Sequence, residues 1–205
     1  MLLGLSGVWR KTISGLGLPS LTNLLQDKFL APFVLIGKKI LQKMYREGAS
    51  WDEPLSDHLL VRWSKWKQSL TYLTKIKLSR CTRPPEFDIV DKQELHHFSD
   101  ASNSRYGRCS YLRLVSTTGR VHCALLFAKS RVSSLKQITI PRAELQAAVT
   151  SMQVLQLLQT ELRFSETKHF FWTDSKVVLG YVNNDVKRFH VFMANRLQEI
   201  HDVSS

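Results

Sequence analysis

Apolar residues recur along this chain with two different periods, and the change from one to the other divides it. From Phe29 to about Ile76 the spacing is helical. Phe33-Val34-Leu35-Ile36, then Ile40, Leu41 and Met44, return every three or four residues, with Gly48 as a stop signal. A second helix is predicted after Pro54, with Leu59, Leu60, Trp63, Trp66, Leu70 and Leu73 on one broad apolar face. Arg83-Pro84-Pro85 ends this pattern, because paired prolines break a helix and extend the chain. Beyond them the period shortens to two. Glu94–Ser99 reads as a short strand, and Arg108–Val115 and Val121–Lys129 flank Ser116-Thr117-Thr118-Gly119, a hairpin signal. Pro141 opens a long helix carrying Leu145, Val149, Met152, Leu155 and Leu162 on one side; proline in a first turn loses no hydrogen bond. Lys168–Thr173 predicts another strand, Ser175–Asn183 a short helix, and Phe189, Phe192, Met193, Leu197 and Ile200 a last amphipathic helix.

The order after the prolines is β-β-β-α-β-α-α, an α/β arrangement in which an antiparallel hairpin feeds a crossover helix. Three regions follow: residues 1–28, rich in Gly, Ser and Leu and expected to be poorly ordered; a helical segment, 29–85; and an α/β domain, 86–205.

Composition narrows the class. At 205 residues, 43% hydrophobic and 22% charged, the chain is neither disordered throughout nor collagen-like. Lys and Arg number 29 against 17 Asp and Glu, a net charge of +12 that favours a polyanionic partner, nucleic acid before membrane. Part of that excess lies between Lys38 and Arg83, which reads either as a basic surface for a nucleic-acid backbone or as the solvated face of a helical pair. Cys81, Cys109 and Cys123 have no metal or disulfide spacing, so a reduced intracellular protein is expected, with nothing to choose between cytoplasm and nucleus. Apolar residues precede Arg10 and Lys11, the reverse of a signal peptide, and the best apolar run, Phe29–Ile36, contains Pro32 and is too short to span a membrane.

Three carboxylates sit where chemistry would want them. Asp100 follows a predicted strand in HHFSDAS, Glu144 lies in the first turn of the long helix in IPRAELQAA, and Asp174 follows another strand in FFWTDSKVV. Strand ends and the start of a crossover helix can meet at one rim of a sheet, where converging carboxylates call for a divalent cation. Taken singly, each has an ordinary structural explanation. Asp174 can cap the following helix, and Glu144 can complement a helix dipole.

In order, these motifs resemble ribonuclease H: an Asp on the first strand, a two-strand meander, an ELxA helix (Glu144-Leu145-Gln146-Ala147) and a TDS strand end (Thr173-Asp174-Ser175). The phrases ELHHFSDAS, YLRLV, IPRAEL, WTDSKVVLGY and FxANR, between Glu94 and Arg196, resemble more closely the ribonuclease H-like region of BEL/Pao-type LTR retrotransposon pol polyproteins. Leu30 to Leu55, followed by RWSKWKQSL, resembles the linker joining polymerase and ribonuclease H parts there, so the resemblance covers roughly residues 30 to 202. It implies a ribonuclease H-like mixed sheet, three antiparallel strands then a parallel one, with crossover helices behind a helical segment. It also implies two-metal cleavage of the RNA strand of an RNA–DNA hybrid with Mg2+, or Mn2+ in its place. Asp100 would bridge both ions, with Glu144 and Asp174 each binding one. In that family a further strand and a fourth metal-binding Asp follow the FxANR helix. The chain is expected to stop before them, Asp202 coming too soon, which would leave a sheet edge open to pairing with another chain. A catalytically inactive, nucleic-acid-binding remnant is the alternative. The polymerase's own aspartates are absent, and no Asp-Thr-Gly or Asp-Ser-Gly of an aspartic peptidase occurs.

Lys129, Arg131 and Lys136, before the long helix, and Arg188 are candidate phosphate contacts, each equally readable as solvated loop. His96 and His97 alternate on a strand, so one faces the core and one the solvent. Phe170, Phe171 and Trp172 read as sheet packing rather than base-stacking platforms, and Cys109 and Cys123 as possible neighbours on paired strands.

Overall fold

A computed structural model describes residues 24–50, 53–75, 81–135, 138–162, 167–184 and 189–204. Residues 1–23 and the candidate contacts Lys136 and Arg188 lie outside them. The first helix, α1 (Leu24–Arg46), begins five residues before Phe29 and runs through Pro32, whose ring is exposed. α2 (Asp57–Leu70) follows, extended by a 3-10 turn, Thr71–Lys75. The pair packs around Ile40, Leu59, Trp66 and Leu70, and the Trp66 indole N–H donates to the Phe33 carbonyl at 2.8 Å. Two residues assigned to apolar faces, Ile36 and Leu60, stand nearly half exposed.

Beyond the prolines come β1 (Val90–Ser102), β2 (Arg105–Ser116), β3 (Val121–Val132), α3 (Ile140–Leu162), β4 (Lys168–Trp172), α4 (Lys176–Val182) and α5 (Val191–Ser204). The sheet order is β3-β2-β1-β4, with β1, β2 and β3 antiparallel and β4 parallel to β1. This is the ribonuclease H-like mixed sheet. β1 and β2 run longer than their alternation suggested, because a two-residue turn, Asn103-Ser104, joins them where a loop was expected. Asp100 is therefore a strand residue and does not follow the strand. The β2–β3 turn is built as predicted: Gly119 has φ +82°, a conformation that glycine adopts without strain, and its N–H donates to the Ser116 carbonyl.

The inner face of the sheet buries Leu95, Leu112, Leu114, Leu126 and Phe127 against Val154, Leu155 and Leu158 of α3. The other end of α3 packs Leu145, Val149 and Met152 on Val178, Met193, Leu197 and Ile200 of α4 and α5. Covered by the sheet on one side and helices on the other, α3 is buried more widely than a single stripe. α1 lies along β3, at one edge of the sheet. Lys38 Nζ donates to the Ser130 carbonyl at 3.0 Å, Gln42 Nε2 donates to the Ser133 carbonyl, and Ser130 Oγ donates to the Ala31 carbonyl at 2.8 Å. Polar side chains thus take up backbone groups that an edge strand leaves open. No described helix is long and apolar enough to cross a membrane.

Candidate active site

Alternation along β1 decides what reaches the site. Leu95 and His97 point into the core, so Glu94, His96, Phe98 and Asp100 share the opposite, outer face. The parallel register pairs Phe98 with Trp172. Two residues further along each chain stand Asp100 and Asp174, both exposed and both lining one open groove of about 680 Å3. The groove runs between the outer sheet face and Ala31, Pro32 and Leu35 of α1. Two of the three predicted carboxylates are therefore together.

The third is turned elsewhere. α3 begins at Ile140 and its first turn holds no acid, so Glu144 sits one residue deeper than expected. Its carboxylate accepts a hydrogen bond from Ser175 Oγ, the residue after Asp174. Ser175 in turn accepts from the Val178 N–H and caps α4, which leaves Asp174 without the capping role that its position allowed. Glu144 is thus tied to the site through its neighbour but does not line the groove. Among the described residues no three His, Cys, Asp or Glu side chains form a ligand set. Asp202 falls within α5, on an exposed surface, accepting from Gln198 Nε2 at 2.7 Å.

The donor chemistry nevertheless fits a hydrated hard cation. Asp100 and Asp174 offer exposed carboxylates to one groove, and magnesium keeps several waters while using one or two carboxylates together with substrate phosphates. Basic side chains flank the groove. Arg105 lines it from the outer face and is exposed, whereas Lys129 and the half-buried Arg108, paired across β2 and β3 beside the groove, stand by alternation on the inner face with Phe127. Arg108 is lowered to about 10 by burial, with Arg131 nearby acting in the same direction and Tyr106 against it. It stays charged at neutral pH, its guanidinium 5.6 Å from the centre of the Phe127 ring. Of the predicted phosphate contacts, Lys129 and Arg131 are both exposed on β3, but alternation turns them to the face of Phe127, away from the one that carries Asp100, and it is Ser130 between them that reaches α1. Arg105, on the groove's own face, was not among them. Its signal was present, five residues after Asp100, but the register that brings Arg105 opposite Ser102 is not written in the spacing.

The histidines divide as alternation requires: His97 is buried at 1% exposure and His96 lies on the outer face. Phe171 packs into both cores, whereas Phe170 and Trp172 stand on the outer face, so only one of the three serves as core packing. Cys109 is opposite Ala128 and Cys123 opposite Arg113, so the two cysteines are not neighbours.

No curated protein matches the sequence. Among solved structures, RNase H1 from the halophilic archaeon Halobacterium salinarum NRC-1 is similar at 12% identity and a TM-score of 0.33, over 54% of this chain and 76% of that one. LC11-RNase H1 in complex with RNA/DNA hybrid gives 14% identity and 0.34, over 54% and 76%. A foamy viral protease-reverse transcriptase in complex with RNA/DNA hybrid gives 11% and 0.42, over 80% of this chain and 21% of that one. These are distant likenesses. Residues 27–175 match the family described as the Pao retrotransposon-like RNaseH-like domain, a match that takes in both helices of the leading segment, the whole sheet and all three carboxylates, and the chain belongs to that family.

Proposed function

We propose that the groove ending at Asp100 and Asp174 is a magnesium-dependent nuclease site that cuts the RNA strand of an RNA–DNA hybrid by a two-metal mechanism. The observation that carries this reading is that Asp100 on β1 and Asp174, two residues beyond the parallel β4, line one open groove that Arg105 also lines. Asp100 and Asp174 would hold the cation, Mg2+ or Mn2+, with Glu144 joining them once its carboxylate leaves Ser175. The chemistry such an ion supplies when bound is activation of a water and stabilisation of the leaving oxygen. Arg105 binds the phosphate backbone and sets its register, reading charge but not sequence.

A second reading has support of its own: a nucleic-acid-binding domain that no longer cuts. Glu144 is engaged with Ser175, and no three-ligand group stands among the described residues. Incubating the chain with a labelled RNA–DNA hybrid in Mg2+ and in Mn2+, beside Asp100→Asn, separates the two. Cutting by the parent and none by the variant supports the nuclease. Binding by both with steep salt dependence, and no cutting by either, supports the binding domain.

A further inference from the structure

Four side chains are linked by hydrogen bonds across the outer sheet face, from β2 through β1 to β4. Arg113 donates to Glu94 Oε2 at 2.6 Å, His96 Nε2 lies 3.3 Å from the same oxygen, and the Trp172 indole N–H donates to His96 Nδ1 at 3.1 Å. The last of these bonds fixes the tautomer. An indole N–H only donates, and a neutral imidazole has one donor and one acceptor. Nδ1 is therefore the bare nitrogen, and the ring proton sits on Nε2, donated to Glu94. The His96 ring also stacks on Phe170 at 4.9 Å and lies 6.0 Å from Trp172, ring centre to ring centre. Trp172 is 50% exposed, lines the groove and stands two residues before Asp174. One ring nitrogen thus holds a side chain of the groove wall.

We propose that His96 is a proton-sensitive latch: neutral, it holds the Trp172 indole; protonated, it releases the indole and reshapes the groove wall beside Asp174. A second ring proton can enter only at Nδ1, where it turns the acceptor into a donor that faces a donor. Glu94 then meets a full imidazolium, and Phe170 presents its ring face to the cation, so His96 stays in place and the indole gives way. The other charges around His96 are mixed. Arg113, which shares Glu94, and Lys168, opposite Glu94 on β4, oppose the second proton. Lys92 and Asp100 stand four residues away on either side along β1, with opposite signs. Tyr111, opposite His96 on β2, has its phenol pushed up by burial and then by Cys109, so it stays neutral. From α1 the groove receives only Ala31, Pro32 and Leu35, none of which titrates. Histidine is the side chain that ordinarily changes charge between pH 5 and 8, and that is the range in which the latch works. It uses no metal and neither Asp100 nor Asp174, so it goes beyond the proposed function and does not rest on it.

Nuclear magnetic resonance of the full chain, labelled uniformly with 15N, tests the assignment. The Trp172 indole peak is identified among those of the five tryptophans by its absence in Trp172→Phe. From pH 7.5 to 5.5 that peak is expected to move upfield along a one-proton curve. Relative to the other indoles, its proton is expected to exchange with water about two- to tenfold faster at the acid end. His96→Phe keeps a ring on Phe170 but has no Nδ1, so there the peak is expected at its acid position throughout. In the parent at pH 7.5, the His96 ring nitrogens are expected to show a proton on Nε2 and none on Nδ1. The latch is overturned if the Trp172 peak stays fixed over that range, if it moves equally in His96→Phe, or if neutral His96 carries its proton on Nδ1. The first and last of these outcomes need only the parent chain, so they decide the matter whatever the stability of the variant.

Discussion

Acid should unfold this protein through one side chain in its core. His97 is 1% exposed, stacked on Phe171 at 4.8 Å, with Nδ1 2.8 Å from Ser110 Oγ. No partner for Nε2 stands among the described residues. Burial, and then the nearby His169 and His96, lower its pKa from 6.5 to about 4. The unfolded chain therefore binds a proton that the folded chain refuses between those values. The stability at stake is intact above pH 6.5 and is lost as pH falls towards 4. At about 1.4 kcal/mol per pH unit, the loss reaches about 2–3 kcal/mol at pH 4.5, a large part of a typical domain's 5–15 kcal/mol. His169, also lowered by burial, acts in the same direction. Urea melts at pH 7.5, 6.5, 5.5 and 4.5 read the effect, with His97→Asn alongside. Asparagine keeps a polar atom near Ser110 but does not titrate, so its deficit against the parent should shrink by about 2–3 kcal/mol across that range. Parallel stability curves for parent and variant would refute the reasoning, because His97 would then carry no differential proton.

Leu145, wholly buried between α3, α4 and α5, should cost about 2–5 kcal/mol as Leu145→Ala in a urea melt. Leu179→Ala, nearly half exposed on α4, should stay within about 0.5 kcal/mol. Ser130→Ala removes the bond to the Ala31 carbonyl and should cost about 1 kcal/mol, with faster hydrogen exchange at the end of β3. Thiol titration with a disulfide reagent should find Cys81 and Cys123 fast and Cys109 slow. The first two are exposed, whereas burial pushes the Cys109 thiol up; equal rates at all three would contradict that burial.

The order of elements was legible because prolines and glycines punctuate it. Pro84-Pro85 mark the change of period, Pro141 opens α3 and Gly119 turns the hairpin. Strand ends were less legible. Asn103-Ser104 holds no glycine, so nothing announced a tight turn, and Asp100 read as a residue beyond its strand. Alternation correctly set His96 and His97 on opposite faces without saying which turns inward, and the cross-strand register that sets Phe98 beside Trp172 is a property of folded pairs of strands that no spacing records. An irregularity in the β2–β3 register between Ser110 and Tyr111 adds to this, and Cys109 and Cys123 are far from opposite one another. Asp100 and Asp174 were singled out as strand-end residues, a position that Asp174 holds and Asp100 does not. Glu144 was found in the right helix, but its engagement with Ser175 depends on where two elements meet.

The packing of α1 along β3 bears on where this chain can be divided. The proline pair is the visible seam, and an expression boundary at Glu86 would follow it. Such a piece would lose the donors from Lys38 and Gln42 to the carbonyls of Ser130 and Ser133 and leave β3 a bare edge, a template for aggregation. The smallest piece that keeps its flank covered starts at α1. A protease site engineered between Arg83 and Glu86 should accordingly give a nicked protein whose two parts elute together, joined by side chains across a broken backbone.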